Sequence, residues 1–123
     1  EREKSYQQFK QWVNKKWGTM TVESSLLHGD FWSGNTFFDT QGQPVFIDPA
    51  VSFGHREMDL AMSQLFGGFR QEFIDSYQEI LPMRSGWQER VEIYQLYYLL
   101  VHLNTFGESY GAAVDRILAL GGK

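Results

Sequence analysis

The sequence predicts an α+β fold that is mainly α with a small β-hairpin, and three observations lead to this prediction. Apolar residues recur at helical spacing over most of the chain. Two short runs of β-favouring residues flank a turn that contains Gly and Pro. The 10 Phe, 6 Tyr and 4 Trp supply large core side chains, and 123 residues correspond to one domain on a prior of about 150 residues per domain.

The first predicted element is an amphipathic helix over residues 2–17, which ends near Gly18. Its other positions are mainly Lys, Gln and Glu, and its apolar face is formed by Tyr6, Phe9, Val13 and Trp17. Residues 28–35 are polar and broken by glycine, and match neither the helical nor the strand period. They therefore predict a loop.

The predicted hairpin pairs residues 36–39 with residues 45–48 across a turn at 40–44. After about residue 56, apolar residues at helical spacing predict helices to the end of the chain. They cover the stripes at 58–65 and 73–81, a segment at 87–104 and a last helix at about 108–119. The segment at 87–104 is apolar nearly all round, which predicts a central helix surrounded by other elements.

The amino-acid composition limits which binding partners and which cellular compartment are expected. The formal charge is −4 and no run of Lys or Arg is present to follow a phosphate backbone, which argues against a nucleic acid partner. No apolar stretch approaches the roughly 18 residues that span a bilayer, so no membrane partner is expected. The absence of cysteine excludes disulfides, thiolate metal sites and thiol nucleophiles, and makes a cytoplasmic location the default expectation.

Three oxygen-bearing side chains are expected to meet at the open end of the hairpin. Asn35 precedes the first strand and Asp48 ends the second, so antiparallel pairing brings them close together. Asp30 lies on the loop that enters from the same side. Carboxylate and amide oxygens suit Mg²⁺, which is commonly held by one or two carboxylates together with substrate phosphates. The sequence therefore predicts a phosphoryl-transfer site.

The spacing of these residues matches a known catalytic pattern. His28, Asp30 and Asn35 reproduce the H-x-D-x-x-x-x-N arrangement of kinase catalytic loops, in which the Asp accepts the substrate proton and the Asn binds metal. A second Asp binds metal after the following hairpin in such enzymes, and Asp48 occupies that place here.

The chain resembles the fructosamine kinase (ketosamine 3-kinase) family over nearly its whole length. The likeness is carried by the segments HGDFWSGN at 28–35, IDPA at 47–50, GHREMDLAM at 54–62 and LFGGF at 65–69. It implies the C-terminal lobe of a protein-kinase-like fold, of the aminoglycoside-phosphotransferase type. It also implies ATP-dependent phosphorylation of the sugar of a ketosamine or sugar-amine adduct.

The same resemblance implies roles for individual residues. Asp30 is expected to be the catalytic base, and Asn35 and Asp48 the ligands of Mg²⁺. Trp32 is expected at the sugar site, where a large aromatic beside a base forms a pocket wall. Asp59 is expected to hydrogen-bond the catalytic loop from the start of a helix.

The histidines have plainer expectations. His28 is expected to be structural, packing or hydrogen-bonding the loop, and His102 to be a satisfied core histidine. His55 and Arg56 leave two alternatives open, because they can contact anionic groups or pair with local carboxylates such as Glu57.

A kinase also needs a β-rich lobe with a Gly-rich loop and a strand Lys that binds the phosphates. The segment before residue 28 has neither alternating strands nor a Gly-rich loop. The chain is therefore expected to be a fragment that lacks the N-terminal nucleotide-binding lobe, with much of the ATP site elsewhere and little activity alone.

Two other functions stay open from the sequence. The acceptor alcohol is an aminoglycoside or choline in the first alternative, which keeps the same chemistry. In the second, the chain is a non-catalytic kinase-like interaction module. Either way, apolar surface left uncovered by a missing lobe is expected to favour self-association.

Overall fold

The computed structural model describes residues 1–122, which form two compact units. The first unit comprises Glu1–Val22 and the chain from Leu96 onward, and the second comprises Glu23–Gln95. Within the described residues, none of the helices combines the length and apolar character needed to cross a membrane.

The first unit is mainly helical, with a non-helical segment at residues 18–22. It contains helix α1 (Arg2–Trp17), the later part of helix α4 (Trp87–Phe106), helix α5 (Gly111–Leu118) and 3₁₀ turns at Glu108–Tyr110 and Ala119–Gly122. The predicted amphipathic helix is α1, and its buried residue is Phe9. The apolar face of α5 is buried through Val114, Ile117 and Leu118.

The expectations for His102 and for helix α4 concern this unit. The Nδ1 of His102 lies 2.7 Å from the carbonyl oxygen of Tyr98, one turn earlier, and the ring packs on Phe106 and Tyr110. Helix α4 was expected to be surrounded, but Tyr97 and Val101 are 58% and 47% exposed. The prediction of a fully covered helix is wrong on that side, because aromatic and β-branched residues do not by themselves specify burial.

The second unit contains two short antiparallel ladders and the helices that follow them. Strand β1 (Ser25–Leu27) pairs with β4 (Ser52–Gly54), and β2 (Thr36–Phe38) pairs with β3 (Pro44–Phe46). Helices α2 (Glu57–Leu65) and α3 (Gln71–Ile80) and the first part of α4 complete it, and a 3₁₀ turn covers Ser33–Asn35.

The hairpin β2–β3 is the predicted one, with Phe37 opposite Val45. Its strands end earlier than expected, so that Asp48 lies two residues beyond β3 rather than at the end of a strand. The ladder β1–β4 was not predicted, since its two strands have three residues each and lie far apart in the chain. It brings the start of the 28–35 loop next to the segment that follows Asp48.

Candidate active site

The loop after β1 is held by a carboxylate from helix α2. Asp59, in the first turn of α2, accepts the backbone N–H of His28 through Oδ2 at 2.8 Å and that of Gly29 through Oδ1 at 3.0 Å. Both carboxylate oxygens are therefore used on two successive amides, which fixes the direction in which the loop leaves β1.

Gly29 allows this loop to approach the segment after Asp48 closely. Its φ is +89°, and a Cβ at this position would overlap the carbonyl oxygen of Ala50. The backbone N–H of Ala50 in turn donates to the carbonyl of His28 at 2.7 Å. A glycine is required here both for the left-handed backbone and for the contact.

The imidazole of His28 connects the same two segments. Its Nδ1 accepts the backbone N–H of Asp30 at 3.1 Å, and its Nε2 lies 2.8 Å from the carbonyl of Ile47. Because Nδ1 accepts and a carbonyl cannot donate, the ring is the neutral tautomer with its proton on Nε2. His28 thus supports the loop immediately before Asp30 and the chain immediately before Asp48.

The side chain of Phe31 anchors the loop in the core of the second unit. It is buried, and its ring centroid lies 5.1 Å from that of Phe46, 5.2 Å from Phe69 and 5.9 Å from Phe73. The contacts with Phe46 and Phe69 include one edge-on and one tilted arrangement, the geometries that aromatic pairs favour. The residue that follows Asp30 is therefore held by side chains from β3, from α3 and from the segment between α2 and α3.

Asp30 and Asn35 are brought into direct contact. The buried Asn35 donates its Nδ2 to the backbone oxygen of Asp30 at 2.9 Å and to Oδ2 of the same residue at 3.1 Å. Both partners only accept, so the amide nitrogen faces Asp30 and the amide oxygen Oδ1 faces away. One oxygen of the Asp30 carboxylate is thereby oriented by Asn35.

Asp48 is near this pair along the backbone but is held differently. The N–H of Ile47 donates to the carbonyl of Asn35 at 2.9 Å, which places the Asp48 turn beside the end of the loop. Asp48 itself is exposed and has a φ of +50°, the only positive φ outside glycine among residues 1–122. No group of three or more His, Asp or Glu that could hold a metal ion occurs in the described part of the chain.

Trp32 lies at the exposed side of the loop. It is 37% exposed and meets Phe66 edge-on, with ring centroids 5.9 Å apart. The Trp32 ring lies over Gly34, and Gly68 packs against the side chain of Ser33; a Cβ at either glycine would collide with these side chains. The two aromatics form a partly exposed wall beside the loop.

A buried ionic network includes the pair Glu57–Arg90, which was not predicted. Glu57 accepts two hydrogen bonds from Arg90 of α4, Nε to Oε1 at 2.8 Å and Nη2 to Oε2 at 2.9 Å. His55 extends it, with Nε2 3.4 Å from Glu57 Oε2 and Nδ1 2.8 Å from the hydroxyl of Tyr94. Arg90 is the only arginine of α4, but it stands among Gln88, Glu89 and Glu92, so no sequence signal distinguished it from a solvated charge.

The pKa values in this network follow from burial and charge. Burial lowers the pKa of His55 below its ordinary value, and Arg90 lowers it further, although the Glu57 carboxylate acts in the opposite direction. Burial likewise raises the pKa of the Tyr94 hydroxyl. The hydrogen bonds that Arg90 donates to Glu57 raise the pKa of Arg90, which stays charged.

The alternatives for His55 and Arg56 resolve differently. His55 contacts the local carboxylate of Glu57. Arg56 instead donates to the carbonyls of Leu81 and Pro82 at 3.1 and 2.7 Å and to the hydroxyl of Tyr77 at 3.2 Å. Arg56 therefore ties the start of α2 to the end of α3.

Comparison with known proteins gives the same family as the motifs. The family model for fructosamine kinase matches residues 1–120. A protein from Enterococcus faecium named "Probable ketoamine kinase" is 61% identical over 118 residues, which are 96% of this chain and 43% of that protein. The rice "Protein-ribulosamine 3-kinase, chloroplastic" is 44% identical over 97 residues, 79% of this chain and 28% of that protein.

A solved structure supports the fold. The crystal structure of a "putative fructosamine-3-kinase" from Thermobifida fusca superimposes with a TM-score of 0.84 at 32% identity, covering 95% of this chain and 41% of that one. The fold is thus one found in fructosamine-kinase-type proteins. The chain belongs to the fructosamine kinase family, and it spans less than half the length of the E. faecium and T. fusca proteins.

Proposed function

We propose that this chain is the catalytic and substrate lobe of an ATP-dependent kinase that phosphorylates a sugar hydroxyl of ketosamine adducts. The observation that carries the proposal is the contact between Asn35 and the Asp30 carboxylate on a loop held by Asp59. Family membership supports the kinase assignment, and the names of the relatives support a ketosamine acceptor.

In the proposed reaction Asp30 is the base that receives the proton of the attacking hydroxyl. Asn35 donates to one oxygen of its carboxylate, so the other oxygen serves the substrate. The backbone of Asp30 is itself tied to His28 Nδ1 and Asn35 Nδ2, which keeps the carboxylate in place without the substrate. Such preorganisation favours phosphoryl transfer, which depends mainly on positioning and charge stabilisation.

Asn35 Oδ1 and the Asp48 carboxylate fit Mg²⁺ by the chemistry of their donors, since both offer hard oxygen atoms. Bound Mg²⁺ neutralises charge on the transferred phosphoryl group. The positive φ of Asp48 supports a functional role, because backbone strain at a residue other than glycine concentrates at functional sites.

Trp32 and Phe66 are proposed to contact the acceptor sugar. Their partly exposed rings lie beside the loop of Asp30, and an aromatic wall suits the apolar face of a sugar. Turnover on a fructosyl-amine, compared with turnover on choline and on an aminoglycoside, distinguishes this acceptor from the other alcohols.

We further propose that a nucleotide-binding lobe outside these residues completes the ATP site. Leu26 and Phe53 lie opposite each other on β1 and β4 and are 65% and 75% exposed, and Phe38 on β2 is also exposed. Exposed apolar side chains on neighbouring strands are typical of a surface that another part of the protein covers. Alone, the chain is expected to have little activity and to self-associate. Light scattering measures the self-association, and a monomer would contradict the proposal that these apolar strands need a covering partner.

A chimera tests the function directly. This chain replaces the matching 118 residues of the E. faecium relative, and a coupled assay measures ADP release. We expect turnover that requires both a fructosyl-amine and Mg²⁺, and none from the isolated chain. An inactive chimera beside an active parent contradicts the proposal, and robust turnover by the isolated chain contradicts the need for a second lobe.

A further inference from the structure

We propose that the buried pair Glu57–Arg90 positions the loop that carries the base, so that both are positioning residues of the kinase. This inference rests on the function proposed above. It concerns residues outside the motif Asp30, Asn35 and Asp48, and neither Glu57 nor Arg90 contacts those three side chains through a hydrogen bond in the structure.

Arg90 is also held by hydrogen bonds other than those to Glu57. Its Nη1 donates to the carbonyl of Ser85 at 3.1 Å and its Nη2 to that of Arg84 at 3.3 Å, both just before α4. Arg90 and Glu57 are each 4% exposed. A buried guanidinium that holds a carboxylate through two parallel bonds defines both distance and direction.

Glu57 is the first residue of α2, and no side chain caps that end of the helix. The first turn therefore depends on other contacts for its position, since uncapped helix ends fray. Asp59, the acceptor for the amides of His28 and Gly29, lies in this same turn. A shift of the turn moves the Asp59 carboxylate away from the loop.

The chain of contacts then reaches the base. Arg90 holds Glu57, the first turn of α2 carries Asp59, and Asp59 orients the two residues that precede Asp30. His28 adds a second connection, because its ring accepts the N–H of Asp30. A displacement of about 1 Å in such a support lowers the chemical rate by up to about 10²-fold.

Amide hydrogen exchange on the 123-residue chain, read by NMR, tests the positioning without any activity. In Glu57→Gln and Arg90→Lys we expect exchange at His28 and Gly29 to accelerate by about tenfold or more, with the interior of α2 unchanged. Such a local change is not expected from a residue that only adds global stability. The exposed positions Glu79→Gln and Arg70→Lys are matched controls and are expected to leave both amides unchanged.

Unchanged exchange at His28 and Gly29 overturns the proposal, as does an equal acceleration over the whole unit. The second arm places the same variants in the E. faecium chimera. We expect kcat to fall by about 10²-fold with KM for the fructosyl-amine nearly unchanged, and Arg90→Lys, which keeps the charge, to lose less than Arg90→Met. Accelerated exchange with an unchanged kcat also overturns it.

An inactive parent chimera would instead count against the proposed function, because the exchange measurement does not depend on turnover. The two proposals therefore fail in different experiments.

Discussion

The two parts of the candidate site are built in opposite ways. The loop that carries Asp30 is hydrogen-bonded at successive residues, from the amides of His28 and Gly29 to the side chain of Asn35. The turn that carries Asp48 is exposed, lies beyond the end of its strand and has a positive φ at the aspartate itself.

This difference teaches which part of the chemistry the chain organises by itself. A base must meet its substrate in one orientation, and the loop supplies that orientation through buried and partly buried bonds. The Asp48 carboxylate is suited to respond to a cation, since an exposed carboxylate keeps its hydration until an ion replaces it. Each prediction below tests one side of this contrast.

The largest expected effect is on catalysis by the Asp30 loop. In the chimera, Asp30→Asn is expected to lower kcat by about 10² to 10⁴-fold, because the amide cannot accept the hydroxyl proton. The variant keeps the shape of the side chain, so circular dichroism and the unfolding midpoint are expected to stay near those of the parent. A rate close to that of the parent would remove Asp30 from the mechanism.

The next effect is on the stability of the same loop. Gly29→Ala is expected to lower the free energy of unfolding by about 2–4 kcal/mol, since it combines a left-handed backbone with a collision against the Ala50 carbonyl. Gly42→Ala is the matched control, because Gly42 also has a positive φ but has no atom within 4 Å of an added Cβ.

The control is expected to lose only about 1 kcal/mol, the cost of the backbone conformation alone. Denaturant unfolding of both variants measures the difference. Equal losses at the two glycines would show that the close approach of the loop to Ala50 contributes nothing.

The contrast also explains what was predictable from the sequence. The hairpin β2–β3 follows from local patterns, because two short runs of β-favouring residues flank a turn with Gly42, although Pro44 is the first residue of β3 rather than part of that turn. The proximity of Asp30 and Asn35 follows from a short loop that leads into that hairpin. These features depend on a few neighbouring residues, so they can be recognised from the sequence without the structure.

The rest depends on long-range contacts. The ladder β1–β4 joins Leu26 to Phe53 through strands too short to show a period, and the pair Glu57–Arg90 joins two helices through residues 33 apart. The conformation of Asp48 was also hidden, because aspartate adopts a positive φ only where the surrounding chain requires it.

The His55 network behind the Asp30 loop gives a pH dependence of smaller size. Because burial lowers the pKa of His55, the unfolded chain binds a proton more readily than the folded one as the pH falls. The stabilising contribution is present above the ordinary histidine pKa of about 6.5 and is lost as the pH falls through the lower folded value.

We therefore expect the free energy of unfolding to decrease between pH 7 and pH 5, and the decrease to be smaller in His55→Gln. Urea unfolding over this range measures both. His102→Gln is the control, and a decrease that survives unchanged in His55→Gln would assign the effect to other groups.

The smallest effect, and the one of opposite sign, concerns the Asp48 turn. Asp48→Gly is expected to raise the free energy of unfolding by about 0.5 kcal/mol, because glycine adopts the positive φ without strain and loses part of that gain in chain entropy. Asp48→Asn is the control for charge, and it is expected to leave stability nearly unchanged, since asparagine tolerates the same backbone. If Asp48→Gly lowers the free energy of unfolding, the Asp48 carboxylate already has a structural partner. The contrast between the hydrogen-bonded Asp30 loop and the exposed Asp48 turn would then not hold.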